Sequence, residues 1–234
     1  MAVIDFHTHI LPGVDDGSRS TEESLEMYRM SQAQGTDVLI ATPHFYAGRD
    51  RVGDFLERRQ KAYGQICRAD KSLQAHLKLG AEVAFFPGIS QAEKLTQLTV
   101  EDTDLLLLEM PFEPWSDRTL AEVRSIIEDR GLRVMAAHLE RYLKIPGNKS
   151  GAAHLMELPV IVQINAGSLS DWRLKRKLIK MFRNGQAHIL GSDCHGCRHR
   201  MPNLGEGRQI LEKTLGSDFL RQMDDAGEKL LYRS

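Results

Sequence analysis

Residues 2–44, AVIDFHTHILPGVDDGSRSTEESLEMYRMSQAQGTDVLIATPH, hold one complete structural unit and decide the fold. The apolar, β-branched run at 2–6 opens as a strand. The segment 21–34 then sets Leu25, Met27, Tyr28 and Met30 among charges, which is the spacing of an amphipathic helix. Ser20 followed by Glu23 makes a capping box at its start, and Gly35 stands where a left-handed C-terminal cap belongs. A second apolar run at 37–42 follows. Strand, helix, strand in this order predicts a parallel βαβ unit.

The alternation continues outward from that unit. Further strand-like runs occur at 77–84, 104–110, 132–137, 160–166 and 187–191. A helix at about 117–130 ends at Gly131, and 203–230 predicts one or two closing helices. No linker, repeat or low-complexity segment interrupts the pattern. Seven such units around one core predict a closed or nearly closed α/β barrel occupying 1–234 as a single domain. The length of 234 residues suits one sizeable core.

Composition narrows the function classes. A net charge of −1 gives no general nucleic-acid or membrane surface. No run approaches the roughly 18 apolar residues of a spanning helix, so no membrane insertion is expected. The N-terminus lacks the basic region, apolar stretch and cleavage site of a signal peptide. Three cysteines, Cys67, Cys194 and Cys197, make no disulfide framework, and a cytoplasmic protein with reduced thiols is expected. Nothing in the sequence indicates an oligomeric state.

Parallel barrels place their chemistry on the loops after the strands. His7 and His9 follow the first strand, with Asp16 in the loop beyond. His44 follows the second; Glu82 and Glu109 lie near the ends of the third and fourth; His138 follows the fifth; Asp193 and His195 follow the seventh. Only the sixth ends without an ionisable group, at Asn165. Each residue alone has a plain reading as a surface or structural side chain. Together they select the same end of nearly every strand. In His-x-His, residues i and i+2 of an extended segment face one way, so His7 and His9 can approach one ion together. Nine ligands exceed one ion's needs, and bridging carboxylates would accommodate more. Imidazole with carboxylate suits zinc, iron or manganese. His76, His154 and His188 lie away from the strand ends and read as structural, and His199 is off the pattern.

Cys194 and Arg200 also satisfy Cys-x5-Arg, the core of a cysteine-dependent tyrosine phosphatase. The intervening His-Gly-Cys-Arg-His lacks a following Ser or Thr and the setting of a compact strand-to-helix turn, which argues against that chemistry. The pair Cys194-x-x-Cys197 has no thioredoxin-like context.

The stretch from Asp5-Phe-His-Thr-His9 to Asp16-Gly resembles the first motif of the PHP (polymerase and histidinol phosphatase) superfamily. The resemblance is strongest to its stand-alone bacterial protein-tyrosine phosphatases of capsule and exopolysaccharide operons. Ala41-Thr-Pro-His44, Gly80-Ala-Glu82, Leu108-Glu109, Ala137-His-Leu-Glu-Arg141-Tyr142 and Gly191-Ser-Asp-Cys-His195 follow in order, to about residue 205. Met201 after Arg200 and Cys194 between two ligands fall at variable positions. The resemblance implies a distorted (β/α)7 TIM-like barrel and three divalent ions, manganese by preference. It implies that His7, His9, Glu82 and Asp193 hold the first ion. Glu82, Glu109 and His138 would hold the second, and Asp16, His44 and His195 the third. Arg141 and Arg200 would grip the phosphate. The implied partner is a phosphotyrosine protein, a bacterial tyrosine kinase with a tyrosine-rich tail.

A phosphate monoester repels an incoming anion, and divalent ions offset that repulsion and activate water. A tyrosine phenolate leaves with a conjugate-acid pKa of about 10, so acid assistance helps without being essential. The general acid stays open among His195, Asp193 and a metal-held water. A small-molecule phosphatase of the same superfamily, acting on an ester such as histidinol phosphate, would share all of this chemistry. A non-catalytic metal-bearing module is the third reading. The loop Phe112-Glu-Pro-Trp115 is expected either at the pocket rim or as an ordinary turn around a packed Trp.

Overall fold

The computed structural model describes residues 1–232. In chain order these form β1 (Ile4–Thr8), α1 (Thr21–Ala33), β2 (Val38–Ala41), β3 (His44–Phe45), α2 (Val52–Ala69), α3 (Leu73–His76), β4 (Leu77–Leu79) and β5 (Glu82–Ala84). Then come β6 (Leu105–Glu109), α4 (Asp117–Glu128), β7 (Arg133–Ala136), α5 (Leu139–Tyr142), α6 (Asn148–Glu157), β8 (Ile161–Asn165), α7 (Lys175–Arg183), β9 (Ile189–Gly191), α8 (Leu204–Leu215) and α9 (Ser217–Leu231).

Every strand pairing is parallel. One sheet runs β1-β2-β4 and the other β3-β5-β6-β7-β8-β9. The sheets meet at two seams. At one, Thr8 bridges Cys194, and the amides of Asp193 and His9 donate to the carbonyls of His7 and Cys194 at 2.8 and 2.9 Å. At the other, Gly80 N–H donates to Ala41 O at 2.8 Å and Glu82 N–H to Pro43 O at 3.1 Å. The result is a curled, all-parallel α/β sheet. Strands buried on both faces carry unbroken apolar runs, and Leu105–Leu108 of β6 are fully buried.

Nine strand segments replace the seven expected runs, and the reason is local. Pro43 has no N–H to give a ladder and ends β2. Gly80 interrupts the run 77–84 where the backbone passes close to its neighbour; a Cβ there would lie 3.3 Å from the Thr42 and Val100 methyls. The shifts matter for the site. His7 lies inside β1 rather than after it, and His44 and Glu82 open β3 and β5.

The capping box is half as expected. Ser20 Oγ accepts from Glu23 N–H at 3.2 Å, but the Glu23 carboxylate reaches back to the N–H of Arg19, at 2.9 Å, not to that of Ser20. Gly35 takes φ +83°, the left-handed cap conformation. The closing stretch is two helices, α8 and α9.

Candidate metal centre

Alternation along β1 turns Asp5, His7 and His9 to the same side. All three are buried. His7 Nε2 and His9 Nε2 stand 3.1 Å apart. Both face Glu82 Oε2, at 3.1 and 3.3 Å, and Asp193 Oδ1, at 3.5 and 3.4 Å. His138 Nε2 lies 2.9 Å from Glu82 Oε1 and 3.6 Å from Glu109 Oε1. His44 Nδ1 lies 3.0 Å from Glu82 Oε2. Asp16 Oδ1 lies 3.6 Å from His44 Nε2 and 3.5 Å from His195 Nε2. Arg141 donates to Asp193 Oδ2, and Arg200 Nη2 lies 2.7 Å from Asp193 Oδ1. All nine candidate ligands and both arginines therefore form one connected cluster centred on Glu82 and Asp193.

The cluster has the chemistry of a cation site. His9 Nδ1 faces Asp15 Oδ2 at 2.6 Å and His7 Nδ1 faces Gln163 Oε1 at 3.2 Å. These partners assign the protons to the Nδ1 atoms and leave the two Nε2 lone pairs facing each other. His195 Nδ1 is likewise taken by the Asp193 carbonyl at 3.0 Å. Glu82 Oε2 is buried and crowded by three imidazole nitrogens, yet no hydrogen bond is aligned on it; His195 Nε2 is orphaned too. Lone pairs converging in a dry site need a positive charge between them. Three groups bring one ligand atom each to within 4.8 Å of one another: His7, His9 and Glu82; His44, Glu82 and Glu109; and His9, Asp16, His44 and His195. The residues fit divalent cations. His9 joins the third group, and His44 approaches Glu82 and Glu109, so the ligand atoms are shared more widely than the implied partition.

Electrostatics follow the geometry. Burial and the neighbouring Glu82 push Glu109 up to about 7. Burial and the His9 ring bring His195 down to about 4, so it is a neutral ligand near pH 7. Burial raises Asp15, but its bonds from His9 and the amides of His44 and Gly17 prevail and hold it at about 2.

The residues behind the ligands were not singled out by sequence reasoning. Asp15 anchors His9 and also accepts from His44 N–H at 2.9 Å. Gln163 Oε1 takes both His7 Nδ1–H and the His138 amide, the latter at 2.8 Å. Gln163 Nε2 donates to Asn165 Oδ1 at 2.9 Å, and Asn165 Nδ2 donates to Asp193 Oδ2 at 2.8 Å. Strand β8, the run at 160–166 that ends without an ionisable group, thus supplies polar braces instead. The consecutive acids at 15 and 16 were a signal for Asp15; Gln163 carried none. Backbone strain gathers here as well. Four non-glycine residues among those described adopt positive φ, and His138 (+30°), Asp193 (+52°) and Arg200 (+48°) are three of them.

Cys194, three residues past the end of β9, is fully buried in the apolar cluster that holds Ile10 and Leu11. Burial drives its thiol far above the ordinary range, so no thiolate faces the site. In the 112–115 loop both expectations hold in part. Trp115 is packed, its Nε1 donating to Pro111 O at 2.9 Å, while Phe112 is 57% exposed and stacked 6.0 Å from His138 at the rim. His188 is structural, accepting from Val162 N–H at 2.9 Å, and His76 pairs with Asp37 O.

Comparison with known proteins gives the family. The chain is 30% identical over 235 residues to tyrosine-protein phosphatase YwqE of Bacillus subtilis, covering 98% of this chain and 91% of the relative. It is 25% identical to tyrosine-protein phosphatase CpsB of Streptococcus agalactiae serotype III, covering 94% of each. A solved structure described as YwqE from Bacillus subtilis and CpsB from Streptococcus pneumoniae, metal-dependent tyrosine phosphatases, superposes with a TM-score of 0.83 at 28% identity, over 98% of this chain and 94% of that one. The family described as Capsular polysaccharide synthesis, CpsB/CapC, matches residues 3–231, and the chain belongs to it.

Proposed function

We propose that this chain is a metal-dependent protein-tyrosine phosphatase. The observation that carries the reading is the convergence of His7, His9 and Asp193 on Glu82, with Arg141 and Arg200 on the same Asp193. The names of its relatives support the same activity.

The nine ligands would hold three divalent ions, manganese by preference, in one PHP-type (β/α)7 domain spanning 1–234. When bound, the ions supply charge neutralisation at the phosphoryl group and an activated water. The protein supplies orientation. Asp15 and Gln163 fix His9 and His7 with their Nε2 atoms inward. Arg141 and Arg200 offer planar, permanently charged forks that match phosphoryl oxygens bidentately. Arg200 is held in place because its carbonyl accepts from His195 N–H at 2.8 Å. Phe112, exposed beside His138, offers an aromatic surface to a phenyl ring. The leaving phenolate needs less proton assistance than an alkoxide. The substrate would be a phosphotyrosine protein in the cytoplasm, a tyrosine kinase regulating capsular or exopolysaccharide synthesis.

Hydrolysis of a phosphotyrosine peptide beside histidinol phosphate, each with and without Mn²⁺ after chelation, tests this. Metal-dependent turnover favouring the peptide is expected. Turnover that survives exhaustive chelation would overturn the mechanism, and a preference for histidinol phosphate would move the protein to a small-molecule phosphatase.

A further inference from the structure

Residues 171–183, DWRLKRKLIKMFR, carry six cations (Arg173, Lys175, Arg176, Lys177, Lys180 and Arg183) and one carboxylate, Asp171. Asp171 pairs with Lys144 outside the segment, and none of the six cations forms an ion pair among the described residues. Helix α7 buries Leu178, Ile179, Met181 and Phe182. Arg176, Lys180 and Arg183, spaced by four and three, align on the opposite face. The first turn holds Lys175, Arg176 and Lys177 with no acidic residue. Positive charge at the positive end of the helix dipole is unfavourable, and no ion pair among the described residues offsets this placement. Trp172 stands just before the helix with 78% of its surface exposed and Arg173 over its ring at 5.1 Å.

The patch is joined to the metal centre by short stretches of chain. Asn165, which holds Asp193, is followed directly by the turn Ala166–Ser170 and then Asp171. Asp171 Oδ2 reaches Lys144 Nζ at 4.0 Å, three residues beyond Arg141.

We propose that Trp172 and the basic face of α7 form a docking surface for an anionic lipid bilayer, adsorbing at headgroup depth. Charge complementarity and residue type favour lipid over an acidic protein. Three of the six cations are lysines, which protein interfaces deplete. Polybasic attraction to anionic headgroups uses lysine and arginine alike. An exposed indole has an apolar body and a polar N–H, and such residues gather at the membrane–water boundary. The apolar face of α7 is committed to the core, so adsorption stops at the surface, with Trp172 the one large side chain positioned to enter it.

The test is sedimentation of the full chain with phosphatidylcholine vesicles, with and without phosphatidylserine, alongside binding to a polyglutamate peptide. Trp115 is buried, so Trp172 is a built-in fluorescence reporter. Binding to the anionic vesicles alone, weakened by salt, with a blue shift of tryptophan emission, is expected. The exposed triple variant R176E/K180E/R183E should keep its melting temperature and lose at least about tenfold in partitioning. Trp172→Ala should bind more weakly and abolish the blue shift. No binding, equal binding to neutral vesicles, or binding to polyglutamate without vesicles would each overturn the proposal. None of these readouts depends on phosphatase activity.

Discussion

His9 is set by a residue that never meets the centre of the cluster. Asp15 Oδ2 accepts from His9 Nδ1 and from the His44 amide, while Oδ1 accepts from the Gly17 amide at 2.9 Å. Three donors converge on one carboxylate, which explains how its charge survives burial. An asparagine can present oxygen to only one side, so Asp15→Asn sets an amide N–H against an existing donor and loosens the imidazole. Orienting residues of this kind are worth about 10- to 100-fold in metal affinity. Titration calorimetry with Mn²⁺ should show a loss in that range, with the circular dichroism spectrum retained. Unchanged affinity would demote Asp15 to a loop residue. The candidate ligands were legible because most of them fall near the ends of the apolar runs in the sequence and inside the motifs themselves. The bracing roles of Asp15 and Gln163 were not, although Asp15 stood out beside Asp16, because bracing a ligand is a relation in space that spacing along the chain does not encode.

The loop between β1 and α1 carries Asp15 and Asp16 to the cluster only because Gly17 lets it fold back on β1. A Cβ at Gly17 would lie 2.2 Å from His9 O and 2.5 Å from His9 Cβ, and the first of these is backbone that cannot swing away. The amide of Ser18 donates to that same carbonyl at 3.0 Å, so the approach is bonded as well as close. Gly17→Ala must push the loop outward. Overpacking of this sort costs about 1–3 kcal/mol, and the displaced loop takes both acids with it. A lower melting temperature together with weaker Mn²⁺ binding is expected. A variant matching the parent in both would mean that the loop yields freely. At this scale the sequence pattern located every strand but β3, yet it missed the resumption of the sheet after Pro43 and the interruption of 77–84 at Gly80. Both residues were visible as strand breakers. That the chain resumes as β3 and β5 depends on sheet curvature, which the partner strands impose.

Across the whole molecule the sum of charges conceals their arrangement. A net charge of −1 is the total of 31 basic and 32 acidic residues, and it averages the unpaired cations of 171–183 with a buried anionic cluster at Glu82, Glu109 and Asp193. The alternation of elements was readable from the chain, but this segregation of charge belongs to the folded surface. The anionic cluster makes the fold depend on what binds it. Cations that bind the folded centre and not the unfolded chain stabilise by mass action, about 2.7 kcal/mol at one hundred times the dissociation constant. In a chain of this size each kcal/mol moves the melting point by roughly 2–4 °C. Exhaustive chelation should therefore lower the melting temperature by several degrees, and Mn²⁺ should restore it in proportion to the logarithm of its concentration. Glu82→Gln removes the carboxylate that touches His7, His9, His44 and His138, and should flatten that dependence. A melting temperature indifferent to chelator and metal alike would mean that the converging side chains satisfy one another, and the centre would lose its reading as a cation site.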